Sequence, residues 1–336
     1  MTAQAPLGNN PWQTCYAQSR SGVGCGNASG LRSVQGRRQK TASPQAIVAT
    51  ANFTDLEAFI SEQDGAFWCY MKPRERPSFT PPLLADLFRM QRMVTELFAG
   101  RSKKDEAPFA YFVLGSREPG VFNLGGDLKL FSQLIRQQDR KELQRYAYAC
   151  VDIAYANHVG YKQNVITIAL VQGDALGGGF EAALSCDIII AENQAKFALP
   201  EILFNLFPGM GAYSFLSRRV GAVKAEEIIL SGRVYSATEM RDLGIVDILV
   251  EKGAGERAVR AHIERNRSKC AAHAAVYNVR RRVNAVTLQE LRDVTDLWVD
   301  AALQLTEHDL RKMAALAMAQ TRLRERQAAA EALAAA

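Results

Sequence analysis

The segment GDALGGGFE, residues 173–181, carries the clearest structural signal in this chain of 336 residues. It follows an apolar run at 165–171 that is typical of a strand covered on both faces. Glycine has no Cβ atom, so three consecutive glycines allow a tight turn whose backbone N–H groups can approach a ligand closely. We predict that this turn leads into a helix over residues 180–186, whose N-terminus would favour an anion.

A second unit with the same order precedes it. The apolar run at 109–114 leads into GVFNLGGDL, residues 120–128, and then into a helical pattern that extends from Leu128 toward Ala156. Further upstream, residues 66–71 predict a strand, and two prolines at 81–82 begin a helix. Successive units of strand, glycine turn and helix predict an α/β fold whose turns meet at one pocket.

The spacing of cysteine and histidine gives no sign of a metal site. The six cysteines form no CxxC pair, and the four histidines show neither HxH nor HExxH spacing. No apolar stretch reaches the roughly 18 residues that cross a bilayer, and the start shows no signal-peptide pattern. We therefore expect a cytoplasmic protein with reduced cysteines, no metal and no membrane contact.

The positive charge is concentrated near the N-terminus. The formal net charge is +6, and residues 1–50 contain five Lys or Arg and no Asp or Glu, which leaves about +1 for the rest. That location argues against a nucleic-acid partner. Residues 1–50 are rich in Ser, Gly, Asn and Gln, so we predict a disordered basic tail. A transit peptide, which is also Arg-rich and Ser-rich, is the alternative.

Two glutamates beside restricted backbone are the candidate proton carriers. Glu181 ends the glycine-rich turn, and Glu201 follows Pro200. The backbone N–H groups of Gly126 and Gly178 could hold one thioester oxygen and stabilise the enolate formed beside it. The glutamates would then move the protons, provided that burial raises their pKa values toward neutrality. The residues alone also allow a purely structural turn, with Glu181 in a first helical turn and Glu201 as a helix cap.

These segments resemble the crotonase or enoyl-CoA hydratase superfamily. The similarity covers roughly residues 60–250 and rests on four groups of motifs. They are VQGDALGGGFE at 171–181 with Cys186-Asp187, Pro200-Glu201-Ile202 with Pro208-Gly209-Met210-Gly211, SGRVYSATEM at 231–240, and GIVD at 244–247.

The resemblance implies a catalytic core of ββα repeats at 51–250 and a helical oligomerisation region at 251–336, assembled as trimers or hexamers. It also implies oxyanion-hole amides at Gly126 and Gly178 and catalytic carboxylates at Glu181 and Glu201. No cofactor is implied, because the acyl group is carried on coenzyme A or on acyl carrier protein. Retention of both carboxylates indicates addition or removal of water.

Two segments point to a narrower group. FNLGGDL at 122–128 replaces the FxAGAD of ordinary hydratases, and both it and VTDLWVDAAL at 294–303 are similar to bacterial diffusible signal factor synthases. That resemblance implies dehydration of a 3-hydroxyacyl chain on acyl carrier protein to the cis-2-enoyl thioester. Hydrolysis of the thioester would then release a free fatty acid for quorum sensing, and a sensor kinase would be a further partner. The alternatives are a plain enoyl-CoA hydratase/isomerase and a catalytically silent regulatory protein.

The acyl chain needs an apolar slot near the two turns. We expect substrate contacts from Gly125 and from apolar residues that flank the turns, although core packing explains any single one equally well. Lys129 stands where hydratases often place a basic residue near the coenzyme A nucleotide, but a solvent-exposed helix face is the simpler explanation. The expected apolar lining is Leu176, Leu203, Phe204, Leu206, Phe207 and Met210.

Overall fold

The computed structural model describes residues 42–101 and 106–319, so most of the predicted basic tail lies outside the described residues. The end of that tail is ordered, because Pro44–Thr50 form helix α1. Its N-cap is Ser43, whose side chain accepts the Ala46 N–H, and Val48 is buried in the core. Disorder was therefore the wrong prediction for residues 44–50. A cap, a proline in the first turn and one buried apolar side chain support this short helix.

Ten strands lie in the described residues and form two sheets. They are β1 (Leu56–Ser61), β2 (Ala66–Met71), β3 (Tyr111–Ser116), β4 (Val121–Asn123), β5 (Ile166–Val171), β6 (Asp174–Leu176), β7 (Ile188–Glu192), β8 (Lys196–Ala198), β9 (Tyr235–Ser236) and β10 (Ile248–Val250). The larger sheet has the order β1-β2-β3-β5-β7-β10, in which the β1–β2 pair is antiparallel and the other pairs are parallel. The smaller sheet has the order β4-β6-β8-β9.

Helices cover both sheets and fill the C-terminal third of the described chain. They are α2 (Pro81–Phe98), α3 (Leu128–Arg136), α4 (Arg140–His158), α5 (Gly178–Leu184), α6 (Ala212–Val220), α7 (Ala222–Ser231), α8 (Ala237–Asp242), α9 (Gly255–Asn266), α10 (Cys270–Val283), α11 (Leu288–Ala302) and α12 (307–319). Short 3-10 turns cover Gly160–Lys162, Pro200–Phe204 and Arg267–Lys269.

A repeated unit explains how distant segments of the chain meet. A strand of the larger sheet, a short strand of the smaller sheet and a helical segment occur in sequence three times, as β3-β4-α3, as β5-β6-α5 and as β7-β8 followed by Pro200–Phe204. Strands β4, β6 and β8 lie side by side and run parallel. Their following turns therefore emerge at the same edge, which places Gly126, Gly178 and Glu201 next to one another.

The predicted α/β architecture is confirmed, and two of the predicted helices have different bounds. The single helix expected from Leu128 toward Ala156 is two helices, α3 and α4, because the chain turns at Gln138, whose φ is 51°. Asp139 then caps α4 by accepting the Glu142 N–H. The helix predicted at 180–186 begins earlier, at Gly178, and ends at Leu184.

The C-terminal helices pack directly on the sheets and helices that precede them. Helix α9 lies against β5 and β7, and α11 packs along α4. Arg292 of α11 pairs with Asp152 of α4 at 2.7 Å, and the Tyr148 hydroxyl donates to Asp296 at 2.8 Å. In the part of the chain that the structure describes, no helix has both the length and the apolar composition required to span a bilayer.

Candidate active site

A largely apolar cavity opens where the turns of the smaller sheet meet the C-terminal helices. Its empty space, which includes solvent at the open mouth, is about 680 Å³. Both glycine turns and both candidate glutamates lie in its wall, and helices α3, α4, α11 and α12 complete it. Its lining is Phe79, Leu124, Gly126, Leu128, Phe131, Tyr146, Ala147, Cys150, Gly177, Gly178, Glu181, Pro200, Glu201, Phe204, Leu206, Gly209, Met210, Trp298 and Leu316.

The two glycine turns pack against each other so closely that side chains are excluded between them. A Cβ atom on Gly179 would stand 2.0 Å from the carbonyl oxygen of Asn123. Gly177 has a φ of 51°, which L-residues with side chains rarely adopt. Gly177 is therefore required by its backbone conformation and Gly179 by the close approach of the two turns, and this close packing sets the distance between them.

Two backbone amides belong to residues that line the cavity, those of Gly126 and Gly178. Gly178 is the first residue of α5, and Gly126 follows β4. The Gly126 nitrogen lies 3.6 Å from the position that a Cβ on Gly178 would occupy, so the two amides are close neighbours. Among the described residues, neither N–H donates to another protein group. Two such donors beside an apolar cavity form an arrangement suited to holding one carbonyl oxygen as it becomes negative.

Glu181 is buried and held by backbone donors. Its Oε1 accepts the N–H of Met210 at 2.7 Å and the N–H of Ala212 at 2.9 Å, at the start of α6. Burial raises the pKa of Glu181 to about 7, while the two backbone hydrogen bonds act in the opposite direction because they favour the carboxylate.

Glu201 is held differently. The residue as a whole is half-buried, but its Oε2 is enclosed and has no hydrogen-bond partner among the described residues. Its Oε1 lies 2.5 Å from the place where a Cβ on Gly177 would stand, so the missing side chain at Gly177 makes room for this carboxyl. Burial, and then the charge of nearby Glu181, raise the pKa of Glu201 to about 8.

This combination supports proton transfer close to neutral pH. Both carboxyls titrate far above the ordinary glutamate range, and like-charge repulsion disfavours ionising both together. The state with one proton on the pair therefore predominates from about pH 7 to about pH 8. One carboxyl can then donate a proton while the other accepts one, beside amides that can polarise a carbonyl.

The structure brings together most of the residues predicted for this site. Gly126, Gly178, Glu181 and Glu201 share the cavity, as do Phe204, Leu206 and Met210. Other predicted positions fall elsewhere. Gly125 and Leu176 are not among the lining residues of the cavity. Phe207 packs among the C-terminal helices, Leu203 is 51% exposed, and Lys129 is exposed in the first turn of α3.

Sequence reasoning missed the aromatic part of the wall. Phe131 and Trp298 face each other with ring centroids 5.0 Å apart, and Phe131 also packs edge-on against Tyr146 at 5.2 Å. Trp298 belongs to the segment 294–303, which resembles the diffusible signal factor synthases. That resemblance was the only sequence feature that could have pointed to Trp298. Tyr146 and Phe131 gave no signal beyond helical periodicity.

Known proteins resemble this chain in sequence. Residues 90–325 match the family model described as enoyl-CoA hydratase/isomerase. A probable enoyl-CoA hydratase of Rhizobium meliloti is 40% identical over 139 residues, which cover 40% of this chain and 52% of the relative. The human mitochondrial methylglutaconyl-CoA hydratase is 32% identical over 162 residues, covering 48% of this chain and 46% of that protein.

Solved structures show the same fold. The enoyl-CoA hydratase from Bacillus halodurans superposes with a TM-score of 0.63 at 19% identity, over 78% of this chain and all of that one. Pseudomonas aeruginosa DspI has a TM-score of 0.50 at 22% identity, over 74% of this chain and 88% of that chain. The predicted crotonase-type α/β fold with C-terminal helices is thus confirmed.

The matched segments span about half the length of the first curated relatives. The family model is matched over a larger share, well above half of the chain. Together with the fold and the paired turns, this shows that the chain belongs to the enoyl-CoA hydratase/isomerase family.

Proposed function

We propose that this protein adds water across the C2–C3 double bond of a 2-enoyl thioester and catalyses the reverse dehydration. One observation carries the proposal: two carboxyls with raised pKa values share a cavity with two backbone amides that have no acceptor among the described residues. Membership of the enoyl-CoA hydratase/isomerase family supports the same reaction class.

In this mechanism the amides of Gly126 and Gly178 bind the thioester oxygen. Hydration places negative charge on that oxygen when water attacks C3, and two fixed N–H donors stabilise the resulting enolate. Each such donor contributes about 3 kcal/mol in comparable sites. The apolar wall around the amides strengthens this interaction by excluding water.

The surroundings of the two glutamates suggest their roles. Glu181 accepts two N–H groups, which favours its carboxylate form, so it takes the proton from the attacking water. Glu201 has an unpartnered Oε2 and the higher pKa, so it donates its proton to C2. In dehydration the roles reverse, with Glu201 removing the C2 proton and Glu181 protonating the departing hydroxyl.

Coenzyme A thioesters are the substrate class that we propose. Several of the relatives are named as hydratases of enoyl-CoA or methylglutaconyl-CoA. The cavity wall is apolar around Leu206, Phe204 and Trp298, which suits an aliphatic acyl chain.

Spectrophotometric hydration of a 2-enoyl-CoA series tests the proposal. Wild-type protein should hydrate it, and Glu181→Gln and Glu201→Gln should each lower kcat by roughly 10³-fold or more, since a positioned acid or base contributes about 10²–10⁴-fold. Glu192→Gln is the control, because Glu192 is as buried as Glu181 but is not among the residues that line the cavity. Full activity in both site variants would remove this mechanism.

A second candidate is the signal-synthase reaction, in which a 3-hydroxyacyl carrier protein is dehydrated and the product is hydrolysed to a free acid. The segments at 122–128 and 294–303 favour it, and Trp298 of the second segment lines the cavity. Mass spectrometry of both reactions separates the two candidates. Release of free cis-2-enoic acid from acyl carrier protein supports the synthase, whereas turnover of coenzyme A thioesters without acid release supports the hydratase.

Assembly and chain organisation are further proposals that rest on the resemblance. We infer trimers or hexamers, a core at 51–250 and an oligomerisation region at 251–336. Light scattering coupled to size-exclusion chromatography tests the assembly. Binding of a sensor kinase belongs to the signal-synthase candidate, and co-purification with such a kinase would test it.

A further inference from the structure

A ring of hydrogen bonds surrounds the peptide groups on both sides of Gly126. The Phe79 N–H donates to the Gly125 oxygen at 2.8 Å. On the other side of Gly126, the Asp127 N–H donates to the Tyr146 hydroxyl at 3.0 Å, and that hydroxyl donates to the Phe79 oxygen at 2.5 Å. The Tyr146 hydroxyl thus connects the Asp127 N–H to the Phe79 oxygen, so this set of hydrogen bonds begins and ends at Phe79.

This ring fixes the direction of the Gly126 amide. The Gly125 C=O and the Gly126 N–H belong to one planar trans peptide group and point in opposite directions. Because the Gly125 oxygen is held by Phe79, the Gly126 N–H must point away from Phe79. Tyr146 holds the next peptide group in the same way, so rotation at Gly126 is restrained from both sides.

A second contact holds the same turn through the side chain of Asp127. Arg76 donates to both carboxylate oxygens of Asp127 at 2.9 Å. The Asp127 side chain in turn accepts the N–H groups of Lys129 and Leu130 as the N-cap of α3. The buried carboxylate therefore connects the turn to α3, and Arg76 keeps it in place.

We propose that Tyr146 and Arg76 are positioning residues that aim the Gly126 N–H at the thioester oxygen. The inference rests on the proposed oxyanion role of Gly126. Glycine is conformationally free, so an amide at Gly125-Gly126 needs external restraint to stay aligned before substrate binds. Tyr146 provides that restraint and also satisfies two buried backbone groups, while Arg76 acts through Asp127.

Tyr146→Phe, with Tyr161→Phe as the control, tests the proposal by steady-state kinetics. Tyr161 is also buried, and its hydroxyl bonds to Asn157 at 2.8 Å outside the cavity wall. Tyr146→Phe should lower kcat by roughly 10- to 100-fold, less than the ~10²–10³-fold loss of a whole oxyanion donor, and KM should change little. Tyr161→Phe should leave kcat within about twofold. An equal kcat in all three proteins, or an equal loss in both variants, overturns the proposal.

Arg76 is only half-buried, so its substitution provides a second test that is less prone to misfolding than Tyr146→Phe. Arg76→Gln should lower kcat severalfold, whereas Arg74→Gln should not, although Arg74 forms a comparable ion pair with Asp55 at 3.0 Å. If Tyr146→Phe does not fold, this pair decides the outcome. Indistinguishable kcat values for the two arginine variants would then overturn the proposal.

Hydrogen–deuterium exchange separates this inference from the proposed function. Tyr146→Phe should speed exchange in the peptide covering 120–128 and leave the peptide covering 173–181 unchanged. This readout needs no substrate, so it remains valid if the wild-type protein hydrates no enoyl thioester. Unchanged exchange at 120–128 contradicts the positioning role even if the hydratase activity is confirmed.

Discussion

Glu181 and Glu201 differ in what surrounds their carboxyl groups, and the difference predicts a pH dependence. The pKa values of about 7 and about 8 belong to a coupled pair, and the active form carries one proton. We predict a bell-shaped profile of kcat. The acid limb reflects protonation of Glu181, which then cannot accept a proton, and the alkaline limb reflects loss of the proton from Glu201. A pH-independent kcat from weakly acidic to alkaline buffer would contradict these roles.

The raised pKa of Glu201 also predicts a stability change. Its ordinary value of 4.5 is raised in the folded state, so the folded protein binds this proton more tightly than the unfolded chain does. The carboxyl therefore lowers stability progressively as pH rises from about 4.5 to about 8. Glu201→Gln should raise Tm at alkaline pH, and this gain should vanish near pH 4.5. Thermal melts at both pH values measure this, and a gain of equal size at both would refute it.

The sequence predicts some residues of this cavity and misses others for a physical reason. Gly126, Gly178, Glu181 and Glu201 belong to short motifs whose local chemistry is recognisable without tertiary information. Tyr146 and Trp298 reach the cavity from α4 and α11, so their position depends on how these helices pack. Periodicity marks them as core but cannot say which cavity they face.

The start of helix α5 makes a prediction that distinguishes two adjacent glycines. A Cβ on Gly179 would stand 2.0 Å from the Asn123 oxygen, whereas one on Gly178 would meet the flexible Met210 sulfur at 3.3 Å. Gly179→Ala should therefore force the two turns apart and destabilise the fold by about 1–3 kcal/mol or more, as overpacking does. Gly178→Ala should be tolerated. Chemical denaturation of both variants provides the test, and equal free energies of unfolding would contradict it.

Elements with strong patterns were predictable, and short ones were not. The apolar runs at 66–71 and 165–171 became strands β2 and β5, because six buried residues in a row give a clear signal. The three-residue strands β4, β6 and β8 are too short to show periodicity. Their pairing depends on how the three repeated units pack side by side, and that packing leaves no short-range pattern in the sequence.

The C-terminal helices contribute residues to the cavity, although the glycine turns and both glutamates lie earlier in the chain. Trp298 closes one side of the cavity, with its ring against Phe131 and over Gly209. Trp298→Ala should lower the free energy of unfolding by about 3–5 kcal/mol and enlarge the cavity. Leu297→Ala is the control, because Leu297 is 64% exposed.

Relative kcat/KM across acyl chain lengths should shift toward longer chains in Trp298→Ala and stay unchanged in Leu297→Ala. An unchanged preference in Trp298→Ala would exclude Trp298 from the acyl pocket.

The proposed mechanism depends most on where a bound thioester places its carbonyl oxygen. A crystal structure with a non-hydrolysable, unreactive acyl-CoA analogue measures this directly. We predict that the carbonyl oxygen lies about 2.7–3.1 Å from the backbone nitrogens of both Gly126 and Gly178, with C2 and C3 between Glu181 and Glu201. A carbonyl oxygen that contacts neither amide, with the acyl chain bound outside this cavity, would contradict the proposed mechanism.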